Sequence, residues 1–472
     1  MRVDPGSTQD PAGFVFHHED GVYRAVSPSA EGSVRELERQ GVYRDLIDSK
    51  ELVPTSFVDP ASALFRALST RFPAYPCFLK HERIGLITYP YEWTYHMLSD
   101  AALFVLRLQG RLLERGLTLK DATAYNVQFL NGRPVWIDVL SIEKSVRPDI
   151  WYAYGQFCRH FLYPLLLKDR FGYSAKGLFL ANRDGISLSD VRALLGFWRS
   201  WSPSSILDVG LPSWLGRLDR DGTWEKKLVS SSRPLQEADV SFQRKNLRRL
   251  EEKVGRWAGS GTAGSGGWLD YPSECPYSPR SAGHKKEIIR RYLAESKPRR
   301  VVDLGCNTGD YTRLASEGDA SVVALDGDHA CVDRLHLRLR ESPGPVTLVW
   351  TDLTNPSPAL GLNNRERASL MERVRGDLVL ALALMHHLLS QGMGLPQIYE
   401  LLKTMSDRFL AVEYVPPDDP ERRRMASLRT EPEEASERDR FLSLFRTGYD
   451  LLREDPIDGS TRTLFLFEKK KE

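Results

Sequence analysis

The chain has 472 residues, 65 Lys+Arg against 63 Asp+Glu, and 41% hydrophobic residues. That length exceeds what one compact core supports, so two or three domains are expected. A net charge of +2 gives no basis for a nucleic-acid coat or polyanion binder, and the ordinary apolar content excludes wholesale disorder.

Cys77, Cys158, Cys275, Cys306 and Cys331 are scattered and never spaced C-x-x-C. A disulfide scaffold or structural zinc site is therefore not expected. The polar start, Met1 to Pro5, has no apolar run of the signal-peptide kind. The longest apolar runs, such as Leu378 to Met385, fall short of the roughly 20 residues that cross a bilayer. A soluble, reduced, cytoplasmic protein follows as the expectation, with no nucleic-acid partner and no membrane span. The oligomeric state stays open.

In chain order, Thr88 to Tyr95 is aromatic and reads as a core linker or a hinge-like strand. Ser99 to Gly116 is a strongly apolar helix ending at a glycine stop. Two short strands follow, 127–129 and 135–137, around an Asn131-Gly132 turn. Asp121, Asn126 and Asp138 flank this hairpin. An Asp, an Asn five residues on and a second Asp a dozen further match the spacing of a phosphotransferase catalytic loop. In such loops the first Asp orients the hydroxyl, while Asn126 and Asp138 would hold magnesium. Trp151 to Leu167 is a helix apolar nearly all round, which suits a buried centre. Phe242 to Val254 is charged and Leu-spaced, and closes the first part.

The tract 255–267, GRWAGSGTAGSGG, cannot bury a core and reads as a flexible linker. It divides the chain into domains 1–254 and 268–472. Beyond it helices and strands alternate: a helix over His284 to Glu295, a strand over Arg300 to Leu304, a helix over Thr308 to Glu317, and strands over Ser321 to Leu325 and Val346 to Trp350 with a helix over Cys331 to Arg340 between them. A strand over Asp377 to Ala383, a helix over Pro396 to Met405 and a strand over Arg408 to Glu413 follow. The alternation predicts a parallel sheet with helices on both faces. Tyr449 to Glu454 and Thr461 to Phe467 close it as an antiparallel hairpin.

At the first strand–helix turn stands VVDLGCNTGD, where Asp303 precedes Gly305 and Gly309. Ligands bind at this edge of a doubly wound sheet. A dinucleotide cradle needs G-x-G-x-x-G, but the spacing here is G-x-x-x-G with an acid before it. An acid repels phosphate and attracts an ammonium. Asp326 ends the second strand, where a carboxylate can take both ribose hydroxyls. Asp352 follows the third and can accept from the exocyclic amine of adenine. His386 and His387 follow the fourth strand, and Glu413 ends the fifth. One of these three is the expected base for an acceptor that must lose a proton.

In these residues the chain resembles class I S-adenosylmethionine-dependent methyltransferases over 268–472. The resemblance implies that Asp303, Gly305 and Gly309 hold the methionine portion, Asp326 the ribose and Asp352 the adenine region, with Asn307 and Leu353 also cofactor-binding. Asp121, Asn126 and Asp138 make the first part resemble the kinase-like fold, although no His precedes Asp121 and no Phe-Gly follows Asp138. Its nominated cations are Lys80 and Arg24. With LITYPYEW, LKDATAYN and VWIDVLS ahead of the methyltransferase part, the chain resembles a family of bacterial two-part, nodulation-protein-like methyltransferases. The fold expected is an α/β Rossmann-like methyltransferase behind an α+β kinase-like domain. The function expected is methyl transfer to a small-molecule, glycan-like or secondary-metabolite acceptor. Two alternatives stay open: a bifunctional phosphotransferase and methyltransferase using ATP and magnesium, and a non-catalytic cofactor-binding scaffold.

Overall fold

Strand-forming segments in the chain collect into two large sheets. The computed structural model describes residues 1–7, 10–19, 21–147, 149–218, 237–260, 278–426 and 437–471. Cys275 lies outside the described residues, as do Tyr271 and Tyr277, whose rings the sequence places where they could close over a cofactor or pack.

The first sheet contains β1 (Arg2–Val3), β2 (Gly13–His18), β3 (Gly21–Val26), β4 (Thr55–Phe57) and β5 (Cys77–His81). It is antiparallel, in the order β1-β2-β3-β5-β4. Side chains alternate across it. Phe16, Tyr23, Ala25 and Phe78 make a small cluster on one face. Val26, Cys77 and Leu79 join the main core on the other.

Helix α1 (Tyr95–Glu114) starts four residues before the expected Ser99. The Thr94 side chain caps it, accepting from the Met97 N–H. Gly116, at φ +71°, allows the chain to leave the helix. Its apolar residues surround the whole axis because both halves of the molecule pack against it. The expected helix at 151–167 runs as Tyr154–Phe157, Cys158–Leu162 and Tyr163–Phe171, with a π-turn in the middle. The Arg159 carbonyl accepts from the Ile186 N–H at 3.2 Å, and this diversion marks the widened turn. Helix α2 (Ala175–Ala181) follows.

Helix α3 (Glu237–Ser260) continues six residues into the expected 255–267 linker. Tertiary contacts outweigh the glycine composition there. Trp257 is buried, the Lys253 ammonium sits 5.3 Å from its ring centroid, and the Ala258 carbonyl is 3.0 Å from His96 Nε2. Residues 261–267 lie outside the described residues.

Helix α4 (Pro279–Ser296) leads into the second sheet. Its strands are β6 (Arg300–Leu304), β7 (Ser321–Asp326), β8 (Val346–Trp350), β9 (Gly376–Ala381), β10 (Ser406–Tyr414), β11 (Tyr449–Pro456) and β12 (Thr463–Lys469). The order is β8-β7-β6-β9-β10-β12-β11. The first five are parallel, and the last two pair antiparallel as the predicted hairpin. This is the mixed Rossmann-like sheet that the alternating pattern implied. Helices α5 (Asp310–Ala315), α6 (His329–Glu341) and α7 (Met385–Ser390) follow β6, β7 and β9.

One face of this sheet shares a single apolar cluster with α1, whereas the other has its own. Polar bonds reinforce the junction. His336 Nε2 lies 2.8 Å from Asp100 Oδ2, Arg183 pairs with Glu366 at 2.8 Å, and Arg373 pairs with the fully buried Glu92. Among the described residues no helix is long and apolar enough to cross a membrane.

Candidate functional site

The glycine loop turns sharply after β6 because three residues take left-handed backbone: Gly305 at φ +74°, Asn307 at +49° and Gly309 at +89°. Their roles differ. A Cβ on Gly305 would meet nothing closer than Leu384 at 3.4 Å, an ordinary contact. A Cβ on Gly309 would lie 2.5 Å from Leu335, so Gly309 lets the loop pack on α6. The Gly305 and Cys306 N–H groups donate to the Leu325 carbonyl at 2.9 and 3.0 Å, tying the loop to β7.

Asp326 organises the neighbouring turns. Its Oδ2 accepts from the Asn307 N–H at 2.7 Å and its Oδ1 from the Asp328 N–H at 2.8 Å. Burial raises its pKa, and these N–H donors oppose the rise. Asp303 accepts from the Thr312 hydroxyl at 2.6 Å. Burial, with Asp326 adding to it against the Thr312 bond, pushes the Asp303 carboxyl up to about 6. Asp352 is exposed and holds Thr354 through its Oδ1.

These acids line one cavity of about 920 Å³. That volume suits a nucleoside-sized ligand. Gly305, Asn307 and Leu353 share the lining with Asp303, Asp326 and Asp352, whereas Gly309 stands behind it. Thr351 also lines the cavity, and its buried hydroxyl has no partner among the described residues. An orphaned hydroxyl among three carboxylates fits a ligand rich in donors and bearing positive charge, and it rejects a pyrophosphate. The residues present therefore fit S-adenosylmethionine.

The three candidate bases separate. Successive residues on α7 point about 100° apart. His387 lines the cavity, whereas His386 is not among the lining residues and is almost wholly buried, with neither ring nitrogen partnered among the described residues. Their ring centroids are 4.1 Å apart. Burial, reinforced by Arg462, lowers the His387 pKa to about 4. Burial, then His387 and Arg462, lowers that of His386 to about 2. Both are neutral near pH 7. Glu413 is fully buried and does not line the cavity. It pairs with Lys285 at 2.6 Å and Arg462 at 3.5 Å, and so anchors the lining lysine from behind.

The first half does bring Asp121, Asn126 and Asp138 together. Asn126 Nδ2 lies 3.4 Å from Asp138 Oδ2, and burial followed by Asp138 raises the Asp121 pKa. However, Arg24 Nη1 lies 2.8 Å from Asp138 Oδ1, and the Leu140 N–H donates to the same oxygen. A guanidinium thus neutralises the carboxylate that magnesium would need, so the residues present do not fit that ion. Among the described residues no group of three or more His, Cys, Asp or Glu is placed to hold a metal. The other nominated cation, Lys80, is exposed. None of the three residues lines the methyltransferase-like cavity.

Sequence reasoning missed Thr351, Lys285, His329 and Gln391, which all line the cavity. Lys285 carries no local signal, since it is one cation on a charged helix. Thr351 sits beside Asp352 and His329 three residues after Asp326, so closeness to a strand end was the available signal.

No family model matches the chain. Over 480 residues it is 32% identical to nodulation protein NoeA of Rhizobium meliloti (strain 1021), covering 99% of this chain and 96% of that protein. The chain belongs to the NoeA family. Solved structures also resemble part of this NoeA-family protein. The N-methyltransferase NodS of Bradyrhizobium japonicum WM9, in complex with S-adenosyl-L-homocysteine, is 13% identical, with 43% of this chain and 93% of NodS covered at a TM-score of 0.32. The bifunctional kinase-methyltransferase WbdD is 15% identical, with 43% of this chain and 41% of WbdD covered at a TM-score of 0.30. At such scores the likenesses add nothing to what the strand order of the NoeA-family chain already shows.

Proposed function

We propose that this NoeA-family protein is an S-adenosylmethionine-dependent methyltransferase acting on a small-molecule, glycan-like or secondary-metabolite acceptor. Residues 268–472 would form the methyltransferase unit, and 1–254 a kinase-like unit that shapes or recruits substrate. One observation carries the reading. Asp303, Asp326 and Asp352, from three successive strand ends, line the same cavity as Gly305 and the unpartnered Thr351 hydroxyl. The free, buried cysteines among the described residues are in keeping with a reducing compartment such as the cytoplasm.

When bound, the cofactor supplies an electrophilic methyl on a sulfonium, and in-line displacement depends chiefly on positioning. Asp326 would hold the ribose hydroxyls, and Asp352 with Leu353 the adenine. Asp303, Gly305 and Asn307 would orient the amino-acid portion. His387 is neutral at the cavity wall and would take a proton from the acceptor. His386 and Glu413 would support this wall from behind.

Isothermal titration of the full-length protein with S-adenosylmethionine should show binding that Asp326→Ala abolishes. No binding by the intact protein overturns the reading. For the kinase-like unit we infer recruitment without phosphotransfer, on the strength of the Arg24–Asp138 pair. Magnesium-dependent ATP turnover that disappears in Asp138→Ala would overturn that inference.

A further inference from the structure

The cavity wall near Gly327, His329 and Asp352 is built from behind by the first half of the chain. Trp350 ends β8 just outside the lining. Its indole N–H donates to the Gly327 carbonyl at 3.0 Å, and its ring meets His329 edge-on with centroids 4.8 Å apart. The Lys176 ammonium, from α2, lies 5.1 Å from the centroid of the same ring. A second tie is independent of the first. The Tyr95 backbone N–H, at the start of α1, donates to His329 Nε2 at 3.0 Å. That bond leaves the ring proton on Nδ1 of a neutral imidazole. Two segments of the first half therefore fix two side chains of the wall.

We propose that the first half is an integral part of the cofactor site, and that Lys176 is a positioning residue holding Trp350 beside Asp352 at the adenine end. This rests on the cofactor reading given above. The physical basis is a cation over an electron-rich ring face, partly screened from water, where the attraction exceeds that at an open surface. Lys176 is half-buried, and burial lowers its pKa against the opposing charges of Asp352 and Glu92. The ammonium thus covers an aromatic ring two residues before Asp352. Removing it loosens Trp350 next to Asp352, the proposed acceptor for the exocyclic amine, without touching any group that contacts the ligand.

The test uses the full-length chain and S-adenosylhomocysteine, together with its inosine counterpart, which carries a carbonyl in place of the amine. Calorimetry on Lys176→Met should show an affinity for S-adenosylhomocysteine about tenfold weaker. The preference for the adenine form over the inosine form should shrink as well. A merely structural role would not alter that preference. Lys176→Arg should restore both, because the charge over the ring returns. Trp350→Phe, which keeps a ring but loses the bond to Gly327, should show a smaller loss in the same direction. Wild-type affinity and preference in Lys176→Met overturn this inference alone. A wild-type chain that binds neither ligand overturns the cofactor reading, and this inference with it.

Discussion

His96 and Asp333 face each other across the junction of the two halves, with Nδ1 and Oδ2 2.5 Å apart and both side chains almost out of contact with water. Asp333 also accepts from the His96 backbone N–H, and the Ala258 carbonyl takes the other ring nitrogen. Both ring nitrogens thus face acceptors, which suits an imidazolium. Burial by itself lowers the His96 pKa, but the Asp333 carboxylate outweighs it and the net shift is upward. Burial similarly opposes the Asp333 carboxylate, and His96 brings the net shift downward.

The sign of the pH dependence follows. The raised His96 pKa contributes stability that is complete below about pH 6.5 and is lost as pH rises through the folded value. The depressed Asp333 pKa contributes stability above about pH 4 that is lost as pH falls through the folded value. Asp333→Asn should cost about 3 kcal/mol near pH 6. It should also flatten the decline above about pH 6.5, which urea unfolding at several pH values would measure. A decline as steep as that of the wild type would refute the pairing.

Asp326 joins two turns through charge-assisted bonds, each of which is worth about 1.5–3 kcal/mol. Asp326→Ala should therefore weaken S-adenosylmethionine binding by at least about a hundredfold while leaving the far-ultraviolet circular dichroism unchanged. Affinity within threefold of the wild type, at the ~0.6 kcal/mol level, would show that the turns are not built around the ligand.

His387 and His386 should respond in opposite ways. Because His387 remains neutral down to about 4, kcat should be flat from pH 8 to 6 and fall as pH approaches that value. His387→Ala should lower kcat by about a hundredfold. Neither ring nitrogen of His386 has a partner among the described residues, so His386→Phe should leave stability unchanged or raise it by up to about 1 kcal/mol. The unfolded chain takes up this proton near pH 6.5, whereas the folded chain resists until about 2. Wild-type stability should thus fall as pH drops below about 6.5, and His386→Phe should reduce that fall. Thermal melts between pH 5 and 8 would decide the matter.

Arg24 already neutralises Asp138, so magnesium at millimolar concentration should leave the melting temperature of the wild-type chain unchanged. Arg24→Met exposes an unpaired, largely buried carboxylate and should destabilise the protein by about 3 kcal/mol. A clear magnesium-dependent stabilisation of the wild type, read by calorimetry, would contradict the assignment.

Most of the second sheet was legible because its strands are short apolar runs bounded by glycines and acids. Asp303, Asp326 and Asp352 could be assigned to one edge, since every parallel strand delivers its carboxyl end there. The helix through 255–260 was not legible. Its stability comes from Trp257 and Ala258 meeting α1, contacts of large sequence separation that outweigh a weak local propensity. Nor was the division of labour between Gly305 and Gly309 legible, since both lie in one motif and only the approach of Leu335 separates them.

The sequence by itself determined the order of strands and helices after residue 300 and the row of acids at the strand ends. Periodicity and strand-end position are local properties that the chain carries wherever it folds. Only the tertiary structure decided which histidine reaches the cavity, that Arg24 closes on Asp138, and that Lys176 and Tyr95 from the first half support the cavity wall. Those outcomes depend on the burial of one side chain against another far away in sequence. Such pairings follow from the packing of the two halves around α1, not from any local pattern.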